Sequence, residues 1–420
     1  MTNSHHSALI CVVDRWGTSW LGPYGNTWVE TPAVNQLATE SVLFENAIAD
    51  SPELTTTYQS YWTGSHASCN ASVDAFHLID VLTNQGIQTV LVTDEPQVAH
   101  HPLASCFRER VEVPVTNADS QATDIHDTGL ANLFSAALAT LSELSPPFLL
   151  WIHAQGMAAP WDAPQAYREE FTAEDDPLPL EFTTVPAELL TEDYDPDDIL
   201  GIIHAYAGQI SLLDECLAGL VSALDERNEI PLLTLLTSPR GFPLGEHRIV
   251  GDAAPALYSE TANIPFLLRR PAGNGGLRRV QRFVQPSDVM STLTDWFQTA
   301  HTPIPSFSRS ALQLADNAMG PRDQRALTIH HNEYLFRTPA WQCKSTVTIN
   351  PSEELNAPDQ HRAELYAKPD DRYEANDVSD RCPDILTAME QAANAFRVAM
   401  NEGSIEHLTD LPDVLRHRLD

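Results

Sequence analysis

Basic residues are scarce in this chain: 24 Lys and Arg stand against 58 Asp and Glu, a formal charge of −34. A surface so negative repels phosphate backbones and anionic lipid headgroups, which sets nucleic acid and membranes aside as partners. Its simplest explanation is solubility. No uninterrupted apolar run approaches the roughly 18 residues that a membrane span needs. Met1 to Ser7 is polar, without a basic stretch, a long apolar core or a cleavage site, which predicts a chain that is not exported and works in the cytoplasm. The six cysteines (Cys11, Cys69, Cys106, Cys216, Cys343, Cys382) have no C-x-x-C spacing, so free thiols are expected. Internal repeats and low-complexity tracts are absent too.

What is present is an ordinary core composition, 43% hydrophobic over 420 residues, enough for a large unit and a smaller one. Ala8 to Val13 is a continuous apolar run closed by Asp14, the pattern of a strand buried on both faces of a parallel sheet. Thr31 and Pro32 read as N-cap and first residue of a helix whose face carries Val34, Leu37 and Ala38. The alternation continues with strands at Thr89 to Thr93, Phe148 to Ile152, Leu232 to Thr237 and Pro265 to Leu268. Helices are expected at Leu130 to Leu144, Ile199 to Arg227 and from a Ser287 cap to Thr299. Such alternation predicts an α/β fold, a mostly parallel sheet covered on both faces, with functional groups at the carboxyl ends of its strands. Asp162 to Asp198, rich in Pro, Asp and Glu, reads as a long surface excursion, and 301–322 as a bridge to a C-terminal unit. The expected units are 1–310 and 320–420.

Four segments resemble the sulfatase family of the alkaline phosphatase superfamily, in the family's order. Asp14 is followed by Leu21, Gly22, Tyr24, Gly25, then Thr31, Pro32, Leu37, Ala38, then Phe44, Asn46, Ala47. Ser51 and Pro52 lead to Thr63 and Gly64. Tyr206 to Asp214 precedes Leu235 to Gly241 and the run Gly245, Glu246, His247. Asn263 to Pro271, Asp288 to Leu293 and Glu364, Leu365, Tyr366 complete the set. The resemblance implies an alkaline-phosphatase-like three-layer sandwich plus a small C-terminal α+β domain on an antiparallel sheet. It also implies calcium, bound by six to eight oxygens, beside a formylglycine matured from Cys or Ser.

Carried over position by position, that machinery is largely replaced. The strand-end Asp pair is Asp14 and Arg15; the nucleophile position is Leu54, with Thr56 and Tyr58 where the motif has Pro and Arg. The later ligand motif reads Thr237, Ser238, Pro239, Arg240, Gly241, so its Asp is Pro239 and the neighbouring ligand is Arg240. The family's His is Ala158, beside Pro160 and Trp161, and its Lys is Asp252. Only Asp14 is retained, so no calcium and no other cofactor is expected. Arg15 and Arg240 either pair with Asp14 in the metal's stead or point to solvent. His247 is expected to cap or pack a loop beside this remnant cleft. Thr55, Thr56 and Thr57 read as loop or helix-cap residues, the alternative being that one of their hydroxyls serves as nucleophile. Adjacent histidines such as His330 and His331 point to opposite faces of a strand, so joint chelation there requires a bend. The expectation is a pseudosulfatase that binds an unknown protein or an anionic small molecule; the alternative is a divergent hydrolase or transferase of sulfate or phosphate esters.

Overall fold

The computed structural model describes residues 6–69, 77–115, 120–227, 229–254, 257–299, 305, 307–316, 324–346, 363–404 and 408–417. Among these, ten strands precede the C-terminal unit: β1 (Ser7–Val13), β2 (Ser41–Ala47), β3 (Gln88–Thr93), β4 (Glu109–Glu112), β5 (Phe148–Ala154), β6 (Glu188–Leu189), β7 (Leu232–Thr237), β8 (Ile249–Val250), β9 (Phe266–Arg269) and β10 (Arg278–Val284). Eight form one sheet in the order β10-β2-β9-β7-β1-β5-β3-β4, in which β9 alone runs antiparallel to its neighbours.

Every residue of β1 is buried because the sheet is covered on both sides. Leu9, Cys11 and Val13 join the core under the helices Pro32–Thr39, Gly129–Glu143 and Pro196–Asp225. Ala8, Ile10 and Val12 join the opposite core, under Leu54–Thr63 and Asp288–Phe297. Alternate side chains of a strand face opposite ways, so one apolar heptapeptide holds two layers of helix to one sheet. The register pairs Val13 with Ala154, Val12 with Thr237 and Thr93 with His153. This brings Asp14, Gln155, Ser238 and Asp94 to one edge, at the carboxyl ends of four neighbouring strands.

The expected elements recur with ends shifted by a few residues. The helix Pro32–Thr39 begins where Thr31 and Pro32 placed it, but Thr31 does not cap it: its hydroxyl accepts from Gly22 N. The caps come instead from Asp214, whose carboxylate accepts from Ala33 N at 2.9 Å and Val34 N at 3.0 Å. Nor does the Ser287 side chain cap the helix Asp288–Phe297. The excursion after Asp162 is tied down: Arg168 is fully buried and donates to the carbonyls of Trp161, Leu180 and Phe182, while β6 pairs with β8. The helix Pro196–Asp225 is apolar enough over 18 residues to cross a membrane by composition, yet 67% of that window is buried in the protein, as befits a core helix. All six cysteines are free.

The C-terminal unit opens with a hairpin of β11 (Ala326–His330) and β12 (Glu333–Arg337). With β13 (Trp341–Thr346) and β14 (Glu364–Ala367) it makes an antiparallel sheet of four strands, backed by the helix Pro383–Asn401. Half of the bridge 301–322 lies outside the described residues; the described part includes the short helix Ala311–Asp316.

Candidate functional site

A cleft of about 540 Å³ opens over the strand ends, lined among others by Arg15, Pro52, Glu53, Leu54, Thr55, Arg240, Asp252 and His330. Behind its wall, directly after β1, lies the fully buried Asp14, which Arg240 covers. Arg240 donates to it through both edges of the fork, Nε to Oδ1 and Nη2 to Oδ2, each at 2.9 Å, and spends its Nη1 on the carbonyl of Pro52 at 2.7 Å. Burial works to raise the Asp14 carboxyl. The Arg240 charge and hydrogen bonds, helped by Arg15 and His153, outweigh it and hold Asp14 below the ordinary carboxylate range.

Arg15 does not share that carboxylate. It sits in the left-handed region at φ 58°, its carbonyl accepts from Tyr206 Oη at 2.7 Å, and its guanidinium pairs with Asp252, whose side chain is 60% exposed. Burial, with the like charge of Arg240 next, lowers Arg15 to about 10. Of the two alternatives, pairing with Asp14 describes Arg240, while Arg15 follows neither and pairs with Asp252. One carboxylate can meet one planar fork edge-on; a second guanidinium on the same oxygens would add like-charge repulsion.

Leu54 is 3% exposed at the first turn of the helix Leu54–Thr63, the turn that faces the cleft. Of the three threonines behind it, Thr57 is buried and donates to the carbonyls of Ser51 and Glu53, and Thr56 donates to Glu53 Oε2 at 3.1 Å. Thr55 is exposed and lines the cleft. Tyr58, Ala158, Pro239 and His247 are not on the cleft wall. Ala158 closes a turn after β5, its N–H donating to Gln155 O, and Pro239 is buried. His247 packs flat on Tyr258 at 3.6 Å and bonds Glu260 at 2.7 Å, the loop-packing role expected of it.

Tyr58 leads to a residue the sequence did not flag. Its hydroxyl lies 2.6 Å from His153 Nδ1, one residue from the end of β5, amid a cage of Tyr61, Trp62 and Trp151. Burial first, then the charge of Arg240, lowers His153 to about 4 against the pull of Asp14, so the ring is neutral at pH 7. Its buried Nε2 has no partner. Asp50 and Asp94 were missed as well; burial raises each to about 7. The available signal was position alone, a polar residue just past or within an apolar strand.

This donor set does not suit calcium. Both oxygens of its one retained carboxylate are taken by a guanidinium, a second guanidinium stands beside it, and Pro239 offers no side-chain oxygen.

The profile of the Sulfatase family matches residues 8–299. The chain belongs to the sulfatase family. Among curated sulfatase-superfamily relatives, the multifunctional alkaline phosphatase superfamily protein PehA of Trinickia caryophylli is 26% identical over 217 residues, 46% of this chain and 41% of that protein's length. The chain thus spans less than half of that relative. An arylsulfatase of Clostridium perfringens is 23% identical over 380 residues, covering 73% of this chain and 77% of the arylsulfatase. The crystal structure of the phosphonate monoester hydrolase of Agrobacterium radiobacter superposes with a TM-score of 0.74 at 15% identity, over 94% of this chain and 96% of the other. These likenesses agree with the expected alkaline-phosphatase-like sandwich and its C-terminal antiparallel sheet.

Proposed function

We propose that this sulfatase-family chain is a pseudosulfatase, a fold kept for binding after its metal-dependent chemistry was lost. The observation that carries the reading is the two-pronged pairing of Arg240 with Asp14, which supplies internally the positive charge that the family takes from calcium. A leucine at the nucleophile position supports it, since a hydrocarbon cannot attack sulfur or phosphorus. The cleft is then a receptor for an anionic small molecule. Arg15 is its recognition group: it lines the cleft, and the exposed Asp252 paired with its guanidinium is one that a ligand oxyanion can displace. Elemental analysis of purified protein beside an assay panel of aryl sulfate, phosphate and phosphonate esters tests the reading. The expected result is no stoichiometric calcium and no turnover; either one present at stoichiometric or enzymatic level overturns it.

A second reading, a divergent hydrolase or transferase with a rebuilt site, rests on Thr55, whose exposed hydroxyl stands on the cleft wall one residue after Leu54. It requires measurable turnover that Thr55→Ala abolishes.

A further inference from the structure

The wall of the cleft also carries a cluster that the alternation of a straight strand argues against. His330 ends β11 and His331 begins the hairpin turn, where its backbone takes the left-handed conformation at φ 54°. That turn supplies the bend: instead of pointing to opposite faces, the two rings stand 4.1 Å apart between centroids. Across from them is Glu53, the residue before the helix Leu54–Thr63, contributed by the large unit. Its Oε1 lies 3.6 Å from His330 Nε2 and 4.0 Å from His331 Nε2, and one ligand atom from each of the three residues lies within 4.8 Å of the other two. The other carboxylate oxygen is held by the hydroxyl of Thr56 at 3.1 Å, which aims Oε1 toward the rings.

We propose that Glu53, His330 and His331 bind a divalent transition-metal ion of the zinc class. Two imidazole nitrogens and one carboxylate oxygen are zinc donors rather than calcium donors, and three protein ligands leave a fourth position open. Tetrahedral donors about 2.0–2.1 Å from zinc sit about 3.4 Å from one another, so separations of 3.6 Å to at most 4.8 Å close by roughly 0.2 to 1.4 Å. The exposed His331 and Glu53, 72% and 47% accessible, have room for that rotation. Both Glu53 and His330 line the cleft, so the open position faces the space in which Arg15 and Arg240 stand, and a bound oxyanion could meet metal and guanidinium together. The site is separate from the position of the family's calcium and does not depend on whether the chain turns over substrate. The cluster of His247, Glu260 and Glu374 is the weaker candidate, because the Glu374 carboxylate is already engaged by Lys368 Nζ and Ser259 Oγ.

The test is titration of untagged, chelator-treated full-length protein with zinc chloride by calorimetry, and with cobalt(II) chloride by absorption spectroscopy. One equivalent is expected, with the intense visible bands of four-coordinate cobalt. Glu53→Gln, His330→Gln and His331→Gln should each weaken it at least tenfold while leaving the circular dichroism and the melting temperature of the metal-free protein unchanged. Absence of stoichiometric binding in the native chain overturns the proposal. So does undiminished binding in a folded His330→Gln/His331→Gln double variant, which would put the ion elsewhere.

Discussion

Asp14 and Asp50 are both fully buried near strand ends on the same edge of the same sheet, and they have opposite fates. Asp14, gripped by Arg240, is held ionised below the usual carboxylate range. Asp50 accepts from Ala67 N at 3.2 Å, leaves Oδ1 without a partner, and is pushed by burial up to about 7. Depth is the same; the difference is a guanidinium. Burial therefore does not decide charge in this protein, and the partner does.

The largest expected effect comes from taking that partner away. Arg240→Met strands a carboxylate in the interior and should lower stability by about 3–5 kcal/mol in urea titration near pH 7.5. An unchanged midpoint would break the comparison outright. Next is Asp50→Asn. A folded-state value of about 7 against an unfolded value near 4 means that the native state holds a proton the unfolded chain has released, so stability falls as pH rises from about 4 to about 7. The substitution should recover up to about 4 kcal/mol at pH 8 and nothing at pH 4. Asp94, also held at about 7, keeps part of the slope in that variant. Asp14 has the opposite sign: its depressed value stabilises above the unfolded value and the benefit is lost as pH falls through the folded one.

A smaller effect sharpens the same point. Removing both partners, Asp14→Leu with Arg240→Met, should land within about 2 kcal/mol of the native chain, because a buried ion pair exchanged for apolar groups is close to neutral. Calorimetric melting of single and double variants gives the coupling directly. Smallest is Arg15→Gln, expected to change stability by about 1 kcal/mol or less because its partner Asp252 is mostly in water. A loss as large as that of Arg240→Met would mean that Arg15 also serves Asp14.

Much of the layered fold was legible because a strand buried on both faces must be apolar throughout, as Ser7–Val13 nearly is, and a covering helix must be apolar on one side. The family motifs placed Asp14, Arg240 and Leu54 at the site before any coordinates. What escaped were contacts between distant segments. Thr31 looked like a cap, yet Asp214 does the capping from another helix. The Pro- and acid-rich stretch after Asp162 read as a surface excursion, and nothing in its composition said that Arg168 would anchor it through three carbonyls. His153 sat unremarked inside an apolar strand, since nothing local says that Tyr58 will reach its ring.

Sequence alone determined the kind of molecule: periodicity and turn residues act over a few positions, and they specify a mostly parallel sheet and the helices that cover it. Tertiary structure alone decided which charges meet. Arg15 and Arg240 are equivalent as letters, but a left-handed backbone turn sends one to Asp252 while the loop after β7 delivers the other to Asp14. In the same way a hairpin turn, invisible to the alternation rule of a straight strand, points His330 and His331 at Glu53. Electrostatic pairing depends on ångströms between residues hundreds of positions apart, and only the folded chain sets that distance.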